Sequence, residues 1–218
     1  AYLDVNAGTK PADEPADLVW LVQTVQAVTD TPLCLDSAQP AALQAAIEVV
    51  ARTPLINSIS GERDRLEGVL PLAAAHNCPV IALALDGARI SEAAADRVAI
   101  VRRLMDATRA AGLRDEQVYV DPLALAIATS CQSALVAMDV MRTVRAEYPQ
   151  AKLTCGLSNI SFGLPARSWI NRGFVTLALA AGLDSAILDP LDREMRAAIL
   201  AAELLLGRDR YSRNYTRA

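Results

Sequence analysis

Histidine occurs once, at position 76, and none of the cysteines at 34, 78, 131 and 155 forms a Cys-x-x-Cys pair. A histidine-built metal site is excluded, because one imidazole cannot assemble it, and no other metal-ligand set is expected. His76, between a helical and an extended segment, reads as a surface or capping residue. The cysteines are widely spaced in apolar surroundings, which predicts reduced core thiols of a cytoplasmic protein. Basic residues are not in excess either. With a net charge of −4 there is no cationic stripe to neutralise phosphates, which argues against a nucleic-acid partner. No uncharged apolar run approaches the roughly 18 to 20 residues of a membrane span. An arginine-flanked signal segment is not expected at the start of the chain. Finally, there is no G-x-G-x-x-G or Walker-type loop, and so no nucleotide-binding fingerprint.

What is there is a chain of 218 residues, 53% hydrophobic, expected to fold as a single domain over 1–218. Extended runs recur at 1–6 (AYLDVN), 32–37 (PLCLDS), 54–60 (PLINSIS) and 79–85 (PVIALAL). They continue at 117–121 (QVYVD), 152–159 (KLTCGLSN) and 185–189 (SAILD). Between them lie Ala- and Leu-rich segments with helical spacing: Leu18, Leu21, Val22 and Val25, then Ile100, Val101, Leu104 and Ala107. Ser91 is expected as an N-cap, Pro40 as a first helical residue, and Gly112, Gly182 and Gly207 as C-caps. Met138 and Met141 are expected in the core, and Trp20 and Trp169 as packing residues. Strand–helix alternation implies right-handed βαβ units about a parallel sheet. Without a glycine loop, a (β/α)8 TIM barrel is favoured over an open sheet. Seven strands are legible where a barrel has eight. The expectation is therefore that the first strand–helix unit, about 30 to 40 residues, is missing before Ala1, given the roughly 250 residues typical of the fold.

The strand ends share a chemistry: Asp4 and Asn6, Asp36, Asn57, Asp86, Asp121, Asn159 and Asp189. In a barrel these ends form the mouth where active sites are built. Acceptors and amides without cations suit a neutral, donor-rich heterocycle better than a phosphate. The simpler role for such residues is capping or turn formation. Asp189, before Pro190, suits a cap while remaining a possible substrate contact, and Asp86, before Gly87, suits a turn. Asp4 and Asn6 alternate with Leu3 and Val5, so both can point inward.

The segments YLDVNAG, LCLDS, NSIS, DPL, GLSNISFGLP…NR and GLDSAILDP, in this order, give a resemblance. The chain resembles the methyltetrahydrofolate–corrinoid protein methyltransferases from Tyr2 to Leu206. These are pterin-binding barrels related to dihydropteroate synthase and to the folate domain of cobalamin-dependent methionine synthase. The combination is far more specific than any one segment. Dihydropteroate synthases carry cationic and hydroxyl loops for a pyrophosphate; the corresponding places here read DVNAGTKP and GLSNIS.

The resemblance implies that Asp36, Asn57 and Asp121 hydrogen-bond the pterin edge, with Asn6 near the same ring. It implies Asn159 as the donor near N5, the nitrogen that exchanges the methyl group. Methyltetrahydrofolate or tetrahydrofolate would be the substrate. The methyl group's other carrier would be the cobalt of a corrinoid on a partner protein, and the enzyme a homodimer. Alternatives are the same barrel methylating tetrahydrofolate in a demethylation pathway, a dihydropteroate synthase-like enzyme, a non-catalytic pterin-binding protein, or a Mg²⁺-dependent hydrolase built on the acidic mouth.

Overall fold

The computed structural model describes residues 1–87 and 89–217. Two compact units are present: Ala1–Ile90 with Ala99–Val120, and Ser91–Val98 with Asp121–Ala218.

In the first unit, strands and helices alternate as β1 (Leu3–Val5), α1 (Glu14–Gln26), β2 (Leu33–Asp36), α2 (Pro40–Ile47), β3 (Leu55–Ile59), α3 (Arg63–Ala75) and β4 (Val80–Leu83). The unit then takes up most of α4 (Ala94–Ala110) and of β5 (Val118–Asp121). β1 to β5 are neighbours in chain order, and the register pairs of β1 to β4 are parallel. The strands are short continuous apolar runs because parallel strands are buried on both faces. One face meets helices: α1 buries Leu18 and Val22 and packs on α2, which buries Ala42, Leu43 and Ala46. The other face packs Cys34, Leu55, Ile81 and Tyr119 together, with Tyr2 and Leu83 against them.

The second unit contains α5 (Ser133–Glu147), β6 (Lys152–Leu153), α6 (Arg167–Ala180) and α7 (Arg193–Leu205). α6 packs against both α5 and α7. Met138 and Met141 are buried on α5, as their spacing predicts.

Helix punctuation follows the sequence at most points. Pro40 opens α2, and Gly112, Gly182 and Gly207 take the positive φ that ends α4, α6 and α7. Ser91 is displaced from its expected role. Its hydroxyl accepts from the Ala93 N–H and donates to Asp96, forming a turn before α4 rather than its N-cap.

Two expected strands are much shorter than their apolar runs. The 152–159 run is extended only at Lys152–Leu153 and then coils into a 3₁₀ turn at Leu157–Ser161. The 185–189 run is reduced to a single parallel bridge between Gly156 and Ile187. Trp20 and Trp169 are not packing residues; they are 65% and 75% exposed. Cys131 is exposed too, while Cys34, Cys78 and Cys155 are buried, and all four are free thiols. His76 is the exposed C-cap of α3.

Candidate functional site

A strand turns alternate side chains to alternate faces. In the first unit the face of β2 and β3 that carries Cys34 and Leu55 therefore carries Asp36 and Asn57 two residues later, and along β5 Asp121 follows Tyr119 at the same spacing. Each strand is apolar low on that face and polar where it ends.

In the first unit Asp36 and Asn57 are register partners, so their side chains leave adjacent strands side by side. Asn6 Nδ2 donates to Asp36 Oδ2 at 2.8 Å. Burial raises the Asp36 carboxyl above the usual range. The Asn6 hydrogen bond and Arg65 pull it down, and the charges of Asp4 and Glu14 push it up. Asp4 is the register partner of Cys34 and accepts a hydrogen bond from its thiol. The turn after β2 is fixed by Glu14, a buried carboxylate that accepts from Ser37 Oγ at 2.5 Å and from the Gln39 amide. Arg65 Nη1 donates to the Ser37 carbonyl at 3.0 Å. Asp86 is a surface ion pair with Arg103 at 2.5 Å, outside this group.

In the second unit Asp121 is buried and accepts the Leu123 N–H at 2.7 Å and the Gly156 N–H. Burial pushes its pKa from 3.8 up to about 6, against the pull of those two amides and of the Arg97 guanidinium. Burial also drives the Cys155 thiol well up, helped by the charge of Asp121, so Cys155 is no nucleophile. Gly156 joins Asp121 to Asn159. A Cβ added at Gly156 would stand 2.9 Å from Asn159 Nδ2, so the amide lies over the missing side chain. Asn159 is exposed, in a turn tied down by Arg167, which donates to the Ser158 carbonyl at 2.8 Å and to Ser161 Oγ at 3.0 Å. Asp189 Oδ1 accepts the Leu191 N–H at 2.8 Å, and the α7 N-cap is instead Asp192, which accepts from the Met195 N–H.

The predicted residues thus fall into two constellations: Asn6, Asp36 and Asn57 in the first unit, Asp121 and Asn159 in the second. Their chemistry is that of acceptors for ring N–H and amino donors, plus one exposed amide that can donate. Sequence reasoning missed Glu14, Arg65, Arg97 and Gly156. For Arg97 a signal existed. It precedes Val101, Leu104 and Thr108 by 4, 7 and 11 residues, the spacing of the buried face of α4.

Comparison with known proteins gives the family. The pterin binding enzyme family model matches residues 2–189. The methylcorrinoid:tetrahydrofolate methyltransferase of Eubacterium limosum is 37% identical over 219 residues, covering 100% of this chain and 81% of that protein. The methionine synthase of Mycobacterium tuberculosis is 33% identical over 197 residues, 85% of this chain but 16% of that much longer protein. Among solved structures, dihydropteroate synthase from Xanthomonas albilineans in complex with 7,8-dihydropteroate aligns with a TM-score of 0.74 and 18% identity. The alignment covers 96% of this chain and 79% of that one. The fold is therefore that of the (β/α)8 TIM barrels, with six strands and one bridge among the described residues in place of eight strands. The chain belongs to the pterin-binding enzymes and, within them, to the methyltetrahydrofolate–corrinoid protein methyltransferase family.

Proposed function

We propose that this methyltransferase moves a methyl group between N5 of methyltetrahydrofolate and the cobalt of a corrinoid carried by a separate protein. The observation that carries the reading is the Asp121–Gly156–Asn159 linkage. A buried acceptor for the pterin edge is joined through one glycine to an exposed amide donor. Asp36, Asn57 and Asp121 accept from the pterin amino and ring N–H groups, and Asn57 also donates to a ring acceptor. Asn6 supports Asp36 from the adjacent strand, and Asp189 has one oxygen not engaged by the Leu191 N–H to offer a substrate. A ligand without these donors would leave the carboxylates unpaired, which is the basis of selection for a pterin. The acceptor-rich site without an anion-binding loop does not suit a pyrophosphate substrate.

The cobalt supplies the nucleophile, so the chain itself needs no Ser, Cys or Lys nucleophile. What it must supply is help to the departing nitrogen. N5 of a tertiary amine leaves poorly: the C–N bonding pair returns to N5, which takes up one proton from solvent to become the N–H of tetrahydrofolate, and a hydrogen bond from the Asn159 amide strengthens as that negative charge develops. The reverse direction passes through the same transition state. Methylation of tetrahydrofolate is favoured for the physiological reaction by the name of the 37% identical relative. Calorimetric titration with methyltetrahydrofolate should show saturable, stoichiometric binding. No binding of either folate would remove the reading.

Residues 1–218 acting as one pterin-binding domain, and a cytoplasmic setting in keeping with four free thiols, are parts of the same proposal. So is a homodimer. α6 and α7 leave Leu177 and Leu205 exposed, a surface suited to a second copy. Light scattering should report twice the chain mass, and a monomer at micromolar concentration would defeat the dimer.

A further inference from the structure

Arg97 is one of the least expected residues in the structure. It is 1% exposed, and burying a guanidinium is costly unless its donors are satisfied. Three hydrogen bonds, from Nε and Nη1, go to the backbone. Nε donates to the Ser91 carbonyl at 2.7 Å, and Nη1 to the carbonyls of Pro122 at 2.8 Å and Leu123 at 2.7 Å. These last two residues follow Asp121 directly. Leu123 has a φ of 63°, a left-handed conformation disfavoured for a branched side chain and kept only where the surroundings over-determine it. That conformation accompanies the 2.7 Å hydrogen bond from the Leu123 N–H to Asp121 Oδ1. Farther along the same loop, Ser133 Oγ donates to the Leu125 carbonyl at 2.6 Å, and the Ile127 N–H donates to the Ile160 carbonyl at 3.0 Å. The loop after β5 is therefore anchored at both ends, with Arg97 at the end nearest the carboxylate.

We propose that Arg97 is a positioning residue for the pterin site. Its Nη1 grips the Pro122–Leu123 backbone that presents Asp121 while its Nε holds the Ser91 carbonyl, and the guanidinium places a buried positive charge beside that carboxylate. The proposal rests on the reading of Asp121 as a pterin-binding group. A lysine could not do the same work, since a point donor cannot hold the carbonyls of Ser91, Pro122 and Leu123 in one planar geometry. The charged and titratable groups that bear on this pair are few. Arg97 and the Cys155 thiol interact with Asp121, and Glu92 interacts with Arg97. With the thiol neutral, Arg97 is the one cation acting on Asp121 among the described residues.

The test measures methyltetrahydrofolate affinity from pH 5 to 8 for the wild type and for Arg97→Gln, Arg97→Lys and Asp121→Asn. For Arg97→Gln, affinity at pH 7 should fall about tenfold or more, and the midpoint for acid loss of binding should rise by about one pH unit, as expected on removing a nearby opposite charge. Arg97→Lys keeps the charge and loses the fork. Its midpoint should stay near that of the wild type while its affinity falls by about fivefold, a pattern that mere loss of core packing would not produce. Should Arg97→Gln not fold, as judged by circular dichroism, Arg97→Lys decides alone. Wild-type affinity in a folded Arg97→Lys then overturns the proposal. If Asp121→Asn weakens binding while folded Arg97→Gln keeps both affinity and midpoint, the role of Arg97 falls and that of Asp121 stands. If Asp121→Asn binds like the wild type, the pterin reading of Asp121 fails, and the proposal with it.

Discussion

Replacing Asn159 with Ala should slow methyl transfer by about 10²- to 10⁴-fold while leaving methyltetrahydrofolate affinity within a few-fold of the wild type. That loss corresponds to roughly 3 to 5 kcal/mol of barrier. The asymmetry follows from where the interaction gains strength. In the bound substrate N5 is a modest acceptor. As the methyl group departs, the electron pair returns to N5, and a donor placed there binds the transition state better than the ground state. The pterin edge would still be held by Asp36, Asn57 and Asp121. Gly156→Ala makes a companion experiment. The glycine has φ −71° and ψ 92°, which an alanine can adopt, but the new Cβ would meet Asn159 Nδ2 at 2.9 Å. It should push the amide aside and lower the rate with little effect on folding. Single-turnover kinetics and calorimetry on both variants check this, and parallel losses of rate and affinity would reduce Asn159 to a residue that orders its loop.

Asp121→Ala should give the largest effect on binding. It leaves the Leu123 and Gly156 N–H groups without their acceptor and the Arg97 guanidinium without a nearby opposite charge, and it would remove the proposed buried partner of the pterin. Affinity should fall by roughly 1 to 3 kcal/mol, the cost of deleting one side of a buried hydrogen bond. The wild type carries a matching pH signature. With a carboxyl pKa of about 6, Asp121 would accept from ring N–H groups best when ionised, so affinity should decline as the pH falls through about 6. Stability responds in the opposite sense. A native pKa raised above 3.8 means that the folded state holds the proton more tightly, so stability falls as the pH rises from about 3.8 to about 6. Binding that gains over the window in which stability declines would be hard to attribute to a purely structural carboxylate. Pterin affinity independent of pH between 5 and 7 would take Asp121 out of the site.

Much of this site is written in a period of two. Asp36 follows Leu33, Cys34 and Leu35, and Asn57 follows Leu55 and Ile56, so an apolar run ending in a polar residue marks the strand and the face together. The same logic overran at 152–159. There Gly156 lets Asn159 fold back over the backbone, and the chain leaves the strand after Leu153 for a turn whose residues Gly156, Ser158 and Asn159 were outweighed by the apolar run before them. Trp20 and Trp169 show the opposite limit. Aromatic identity argues for burial, yet both stand exposed, and no local pattern distinguishes a packed Trp from a surface one. Glu14 was illegible for a different reason, and the same reason overrode the buried-face spacing that Arg97 does show on α4. Charged residues in a helical pattern read as solvated, and only tertiary partners, the carbonyls of Pro122 and Leu123 or the side chains of Ser37 and Gln39, make their burial tolerable.

Methyl exchange between a folate nitrogen and cobalt can be measured without identifying the corrinoid protein. Free cobalamin, reduced to Co(I) under anaerobic conditions, is mixed with purified protein and methyltetrahydrofolate while its absorbance is followed. Protein-dependent conversion to methylcobalamin is expected, with equimolar tetrahydrofolate formed and conversion at least about a hundredfold slower with Asn159→Ala. Saturable binding of methyltetrahydrofolate with no methylation of Co(I), or of any corrinoid protein offered in its place, would contradict the proposed exchange.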